Sequence, residues 1–333
     1  MRRYRWRALA VLAAGLGLAV AALSGQEVTA APARVTLLST VTRVVNLPLL
    51  VGFKLLRQDG LAFEVRDLRT PEAVVLATAE RQGQFGTGFA AFYPAVEKGA
   101  PVRALFELSK PEFVVVARRE ITAVAGLTGV RLASHSPGAT VQALLEFFLL
   151  DHPGVTPTIV FMPEGSPARA EAILRGAVDA AAVDLTAAQV VLDRAPGRFH
   201  ILIDLTRIPV SSSFLIARQD FIEGNQPLIR QVLRRLLESY RRGIASPAFW
   251  ATEGAEFFPQ VPREQLERQL AALVRVFDPN GGIDRMTGAG AISNIQFQVA
   301  TKNLTGPALR WRRTQFFDTD SLERLLGELG KTR

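Results

Sequence analysis

The feature that most constrains the fold is a change of period within residues 129–153. Residues 130–133 form a short apolar run of strand length, and 134–140 form a polar turn. Val141, Leu144, Leu145, Phe148 and Leu149 then recur at the spacing of one helical face. The stretch reads as strand, loop, helix. Ser136, Pro137 and Gly138 fall where the helix starts, so free backbone N–H groups and the positive end of the helix dipole would point out of the sheet at an anion or polar ligand. Two readings of the turn stay open. It is half of a ligand grip, or Ser136 or Thr140 only caps its own helix.

The same alternation recurs along the chain. Residues 35–38 start as a strand, and the polar loop 39–43 that follows is a second candidate grip through its hydroxyls and Arg43. An apolar helix over 47–56 ends at Gly60, as a left-handed C-cap would end it. A strand follows over 61–65, then a helix from Thr70-Pro71-Glu72 to about Glu80 with Pro at an early position. Gly86-Thr87-Gly88 is no dinucleotide fingerprint, because it lacks both the G-x-G-x-x-G spacing and the acidic residue expected about 20 residues on. Next come a helix over 89–98, strands over 102–108 and 113–117, and a charged connection over 118–126. Further strands are expected over 158–161, 178–183, 200–205 and 211–217, with a helix over 167–175. Helix, glycine-bearing turn, small-residue strand and Ala-rich helix occur at 73–96 and again at 168–192, as in two lobes on one plan. From Pro227 the chain reads as helical over 228–240, 247–257, 263–277 and 320–329, with a break at Asn280-Gly281-Gly282.

At 333 residues, 48% hydrophobic and 21% charged, the chain has core material for about two globular domains. Its N-terminus has the plan of an export signal: Arg2, Arg3, Arg5 and Arg7, an apolar run over 8–23, and small residues before a cut near Ala30. Export by the general or the twin-arginine route is left open. The four leader arginines account for half of the formal charge of +8, and the other basic residues are scattered or lie on helix faces, so nucleic acid is not an expected partner. With no cysteine there is no disulfide framework, thiol nucleophile or lipid-modified Cys. No cofactor is expected, and no metal, since no His/Asp/Glu cluster has ligand spacing. The expected location is the periplasm, as a soluble monomer.

Several segments together resemble the solute-binding proteins of ABC importers in the nitrate, sulfonate, taurine and thiamine-pyrimidine-precursor group, which are similar to the NMT1/THI5-like proteins. They are residues 48–61, Phe85-Gly86-Thr87-Gly88, 95–102, 127–133 with Ser136-Pro137-Gly138, and 176–180. The resemblance implies an α/β, two-lobed type II periplasmic-binding-protein fold, crossed twice by the chain, with ligand in the cleft between lobes. Residues 1–30 would be the signal peptide, 32–119 and 207–333 lobe one, and 120–206 lobe two, with hinges near 119–126 and 206–210. It places ligand contacts at Ser39, Thr40, Thr42, Thr87, Gly88 and Ser109 on one lobe and at Ser136, Gly138 and Thr140 on the other. Asp184 would meet a cationic ligand group or cap the helix after it. Phe89, Phe92 and Tyr93 are stacking candidates or core.

The implied partners are a small solute, a membrane permease and its ATPase. A small oxyanion, a sulfonate or a pyrimidine-like heterocycle would suit the hydroxyls and glycine backbone of the contact set. A sensory subunit of the same fold is an alternative that sequence does not separate from transport. The other alternative is a hydrolase using His135 and Ser136. It has little raw material, with three histidines in the chain and no nucleophile-elbow sequence.

Overall fold

The computed structural model describes residues 34–40 and 43–332. The expected leader over 1–30 and the candidate Thr42 lie outside the described residues. Ten strands and thirteen α-helices follow in the order β1 (Arg34–Thr40), α1 (Leu47–Leu55), β2 (Ala62–Leu68), α2 (Pro71–Ala79), β3 (Phe85–Gly88), α3 (Phe92–Glu97), β4 (Val102–Ser109), β5 (Phe113–Arg118), β6 (Arg131–Ser134), α4 (Thr140–Leu150), β7 (Thr158–Phe161), α5 (Ser166–Leu174), β8 (Ala180–Asp184), α6 (Leu185–Arg194), β9 (Phe199–Asp204) and β10 (Ser213–Arg218). The rest is helical: α7 (Gln219–Gly224), α8 (Gln226–Ala245), α9 (Pro247–Glu253), α10 (Arg263–Leu273), α11 (Ile283–Met286), α12 (Gly288–Ala300) and α13 (Asp320–Leu329).

The strands form two five-stranded sheets, ordered β2-β1-β3-β10-β4 and β7-β6-β8-β5-β9. In the first, β1 runs parallel to β2 and β3, while β10 is antiparallel to both β3 and β4. In the second, β6 is parallel to β7 and β8, while β5 is antiparallel to β8 and β9. Each sheet with its helices is one lobe, and this is the two-lobed α/β architecture that the alternation and the resemblance imply. Strand interiors such as Val114, Val115 and Val116 are fully buried, as sheets covered on both faces require.

The boundary of lobe one departs from the expectation. The resemblance puts 113–118 in lobe one, but β5 pairs with β8 from Phe113↔Asp184 to Ala117↔Ala180, inside the second sheet. The first crossing is therefore 110–112, and 119–126 lies within lobe two. The second crossing follows β9 and leads through 205–212 into β10, close to the expected 206–210. A helix over 288–300 that sequence reading passed over is also present.

Lobe one is closed by α8, whose buried Ile229, Val232, Leu233, Leu236, Leu237 and Tyr240 recur at helical spacing. A buried polar knot anchors the second crossing to this lobe. Glu107 on β4 accepts from Arg285 Nε and Nη2, each at 2.6 Å, and from Ser211 Oγ at 2.5 Å. Arg285 also pairs with Asp278 at 2.5 Å, and the amide of Ser211 donates to Asn294 Oδ1 at 2.8 Å. From the same C-terminal region α12 reaches lobe two, where Phe297 meets Phe147 edge-on at 5.1 Å.

Candidate functional site

A cleft of about 900 Å³ is lined from both sheets. Lobe one contributes Thr40 at the end of β1 and Arg43 beyond it, Arg69 to Glu72 at the start of α2, and Phe89 to Ala91 after β3. Lobe two contributes His135 to Val141 at the start of α4, Pro163 to Pro167 and Arg169 at the start of α5, and Asp184 at the end of β8. Phe113, the first residue past the first crossing, also lines it. Strand ends and helix N-termini thus face the cleft from both sides, as open α/β sheets arrange a binding crevice.

Four helices begin at this cleft, and their caps differ. The amide of Ala73 donates to Thr70 Oγ1 at 3.2 Å, which caps α2. Asp184 caps α6: its Oδ1 accepts from the Ala187 amide at 2.9 Å and from Thr186 Oγ1 at 2.6 Å. The cap reading of Asp184 is thus the observed geometry, on the rim of the cleft. Helices α4 and α5 start at Ala139 and Gly165 with no side-chain cap. Ser136 does not cap α4. Its hydroxyl lies 2.8 Å from His135 Nδ1, and its amide donates to the same nitrogen at 2.8 Å. The first N–H groups of α4 and α5 are left without a side-chain acceptor.

Five of the ten expected contact residues share this cleft: Thr40, Ser136, Gly138, Thr140 and Asp184. Gly138 holds φ +78°, which only glycine takes without strain, and a Cβ there would meet nothing within 4 Å. The glycine serves the turn. Thr42 lies outside the described residues. The other four fall elsewhere. Ser39 is buried within β1, and Thr87 is fully buried in β3 with its hydroxyl unpaired among the described residues. Gly88 packs inside lobe one, where a Cβ would come within 2.7 Å of Ile216 Cγ2. Ser109 Oγ meets Ser213 Oγ at 2.9 Å and stitches β4 to β10. Among the aromatic candidates Phe89 lines the cleft, while Phe92 and Tyr93 belong to the core cluster with Phe214 and Phe316.

Sequence reading named Arg43 and His135 but missed Glu112 and Arg169. Arg43 Nη1 reaches Glu112 Oε1 at 2.8 Å, joining the loop after β1 to the first crossing. Burial holds the Glu112 carboxyl above its ordinary range, with the Arg43 charge offsetting only part of that rise. The Leu185 amide donates to the Glu112 carbonyl at 2.9 Å, so this residue touches both lobes. Arg169 is 1% exposed, and burial pulls its pKa down to about 10. Its signal was in the sequence: Ser166, Arg169, Ala170 and Ile173 share one helical stripe, and all four are buried. His135 is held below its ordinary pKa by burial and by the nearby Arg169, so it is neutral at pH 7.

Among the described residues no group of three His, Asp or Glu side chains is placed to hold a metal, and no helix is long and apolar enough to cross a membrane. No curated protein sequence matches the chain. Solved structures of similar fold include the periplasmic aliphatic sulphonate binding protein of Escherichia coli, at 18% identity and TM-score 0.63, covering 81% of this chain and 86% of that one. The alkanesulfonate-binding protein of Xanthomonas axonopodis pv. citri, bound to MOPS, is 18% identical with TM-score 0.60, over 83% and 96% of the two chains. The periplasmic nitrate-binding protein of Synechocystis is 11% identical with TM-score 0.63, over 89% of each chain. These likenesses are of fold. The family model described as NMT1/THI5 like matches residues 56–249, more than half of the sequence, and the chain belongs to that family.

Proposed function

We propose that the protein is the solute-binding component of an ABC import system, exported to the periplasm, where it closes on a small solute and delivers it to a permease and its ATPase. The observation that carries this reading is the cleft itself: two sheets, joined by crossings at 110–112 and 205–212, present uncapped helix starts and strand-end hydroxyls to one shared space. Family membership and the fold of the sulfonate- and nitrate-binding structures support it. The solute would be held by Thr40 and the Thr42 loop on one side and by Ser136, Gly138 and Thr140 on the other. Closure would be a hinge motion in the crossings.

A binding role also fits the chemistry of His135 and Ser136 better than hydrolysis does. His135 Nδ1 already accepts the Ser136 amide, and among the described residues no acid holds the far side of the ring, so the orienting third group of a triad is missing. The test is solution scattering of the mature chain with compounds found by a thermal-shift screen of anions, sulfonates, amino acids and pyrimidines. Binding should shrink the radius of gyration at constant helix content. A saturating, tightly bound compound that leaves the scattering profile unchanged would sink the closing-cleft reading.

A further inference from the structure

Among the described residues three arginines line the cleft, and of these Arg169 is the buried one. Its three hydrogen bonds among the described residues all go to uncharged acceptors: Nε to the Ala182 carbonyl at 2.7 Å, Nη1 to the Met162 carbonyl at 3.0 Å, and Nη2 to Ser166 Oγ at 3.0 Å. A guanidinium has five N–H donors, so two are left over. The group is protonated at neutral pH even with its pKa pulled down to about 10. Asp184 and Glu164 act on it only from a distance. Asp184 spends Oδ1 on the α6 cap, and Glu164 is exposed, where solvent screens it. A positive charge therefore stands buried at the wall of a cleft with no carboxylate of the described residues bonded to it, an arrangement that is costly unless something completes it.

We propose that an anionic group of the solute completes this charge, seated on the lobe-two wall where the uncapped starts of α4 and α5 meet Arg169. This rests on the solute-binding reading and narrows it, from the open set of oxyanions, sulfonates and neutral heterocycles, to solutes carrying a carboxylate, sulfonate or similar group. The caps point the same way: α2 and α6 are closed by Thr70 and Asp184, whereas α4 and α5 keep their first N–H groups free for an anion. Phe89, Ala90 and Ala91 on the facing lobe, with Phe113 at the crossing, give the rest of the solute an apolar wall. The purely structural role for Arg169, tying α5 to β7 and β8, uses three N–H groups and explains neither the unpaired charge nor the missing caps.

The test uses pairs of probes that differ only in charge: hexanesulfonate with hexanesulfonamide, and benzoate with benzamide. Affinities are measured by calorimetric titration for the wild type, Arg169→Lys, Arg169→Gln, Thr140→Asp and Thr140→Asn. In the wild type at least one anionic member should bind about 30-fold or more tightly than its neutral partner, the usual scale for a buried charge pair. Arg169→Gln should lose that preference and Arg169→Lys keep part of it. Thr140→Asp puts a carboxylate on the same wall at a helix start, where it favours folding, and should abolish the anion preference, whereas Thr140→Asn, isosteric with it but uncharged, lowers both affinities with the lost Thr140 contact and keeps anion above neutral partner. If Arg169→Gln does not fold, the Thr140 pair decides. Equal affinity for both members of every pair in the wild type overturns the assignment, as does a preference unchanged in Arg169→Gln or Thr140→Asp. Should neutral compounds bind and contract the protein while no anion does, the anion assignment falls and the solute-binding reading stands. Should no compound of either kind bind, both fall.

Discussion

Glu107→Leu and Arg285→Met, singly and together, test whether the polar knot behind the second crossing acts as one unit. Glu107 is 0% exposed and loses three accepted bonds when truncated, two of them from a guanidinium. Removing one partner of a buried ion pair costs about 3–5 kcal/mol, because the other is left uncompensated. For Glu107→Leu the lower end applies, since Asp278 still holds Arg285 at 2.5 Å. The upper end applies to Arg285→Met, which leaves a fully buried carboxylate with Ser211 as its remaining partner. At about 2 °C per kcal/mol for a chain of this size, the melting temperature should fall by about 6 °C and about 10 °C respectively. The double variant exchanges the pair for apolar side chains, and such exchanges of buried ion pairs are often near neutral. It should therefore melt above Arg285→Met. Thermal melts followed by circular dichroism close the double-mutant cycle. A double variant that falls by the sum of the two singles would show that the groups are uncoupled and refute the reasoning.

Gly243→Ala should destabilise by at least 1–3 kcal/mol, since a Cβ would lie 1.8 Å from the buried Trp250 ring; a denaturant midpoint equal to wild type would contradict the packing. Asp184→Ala removes the α6 cap and should cost about 0.5–2 kcal/mol, whereas Ser136→Ala, which caps nothing, should leave the melting temperature within about 1 °C of wild type. Asp179 is held below its ordinary pKa by its hydrogen bond to Arg131 and by Arg118 and Arg131 nearby, at 2.9 Å and 3.0 Å. Its contribution is present above the unfolded carboxylate pKa of about 4 and lost as pH falls through the depressed folded value, so Asp179→Asn should lower stability at pH 7 and flatten the acid limb of a melting-temperature profile.

What could be read from sequence follows from what is local. The strands and helices up to β10 were legible because each carries its own period and several of the helices stop at a glycine, as at Gly60, Gly99 and Gly176. The sheet that β5 joins was not. Its apolar run states that it is buried, while its partners β8 and β9 lie far along the chain and announce themselves nowhere in residues 113–118. Helix α12 escaped notice because Gly288 and Gly290 weaken its first turn. The second is needed where a Cβ would sit 2.1 Å from the Asp284 carbonyl oxygen. In the cleft, Thr40 at the end of β1 and Ser136 in the turn after β6 were found because strand ends and the turns that follow them face the crevice. Thr87 within β3 and Ser109 at the end of β4 are strand hydroxyls whose direction the pleat decides, into the lobe as readily as toward the cleft, and both point inward. Arg169 was passed over because an arginine on a short helix usually reaches solvent, and only the buried stripe it shares marks it as different.

The placement of β10 sets an order of assembly. Sheet two is drawn from one uninterrupted run, β5 to β9, and can pair all its strands as soon as that run exists. Sheet one cannot. Its slot between β3 and β4 is filled by a strand that arrives roughly 100 residues later, after the whole of the other lobe, and closing a loop of that length comes late in folding. Until then two strand edges stand open beside each other as templates for wrong pairing. Insertion of Ser213–Arg218, and the docking of α8 that follows it in the chain, is the step at which a nascent or refolding molecule is most exposed to aggregation.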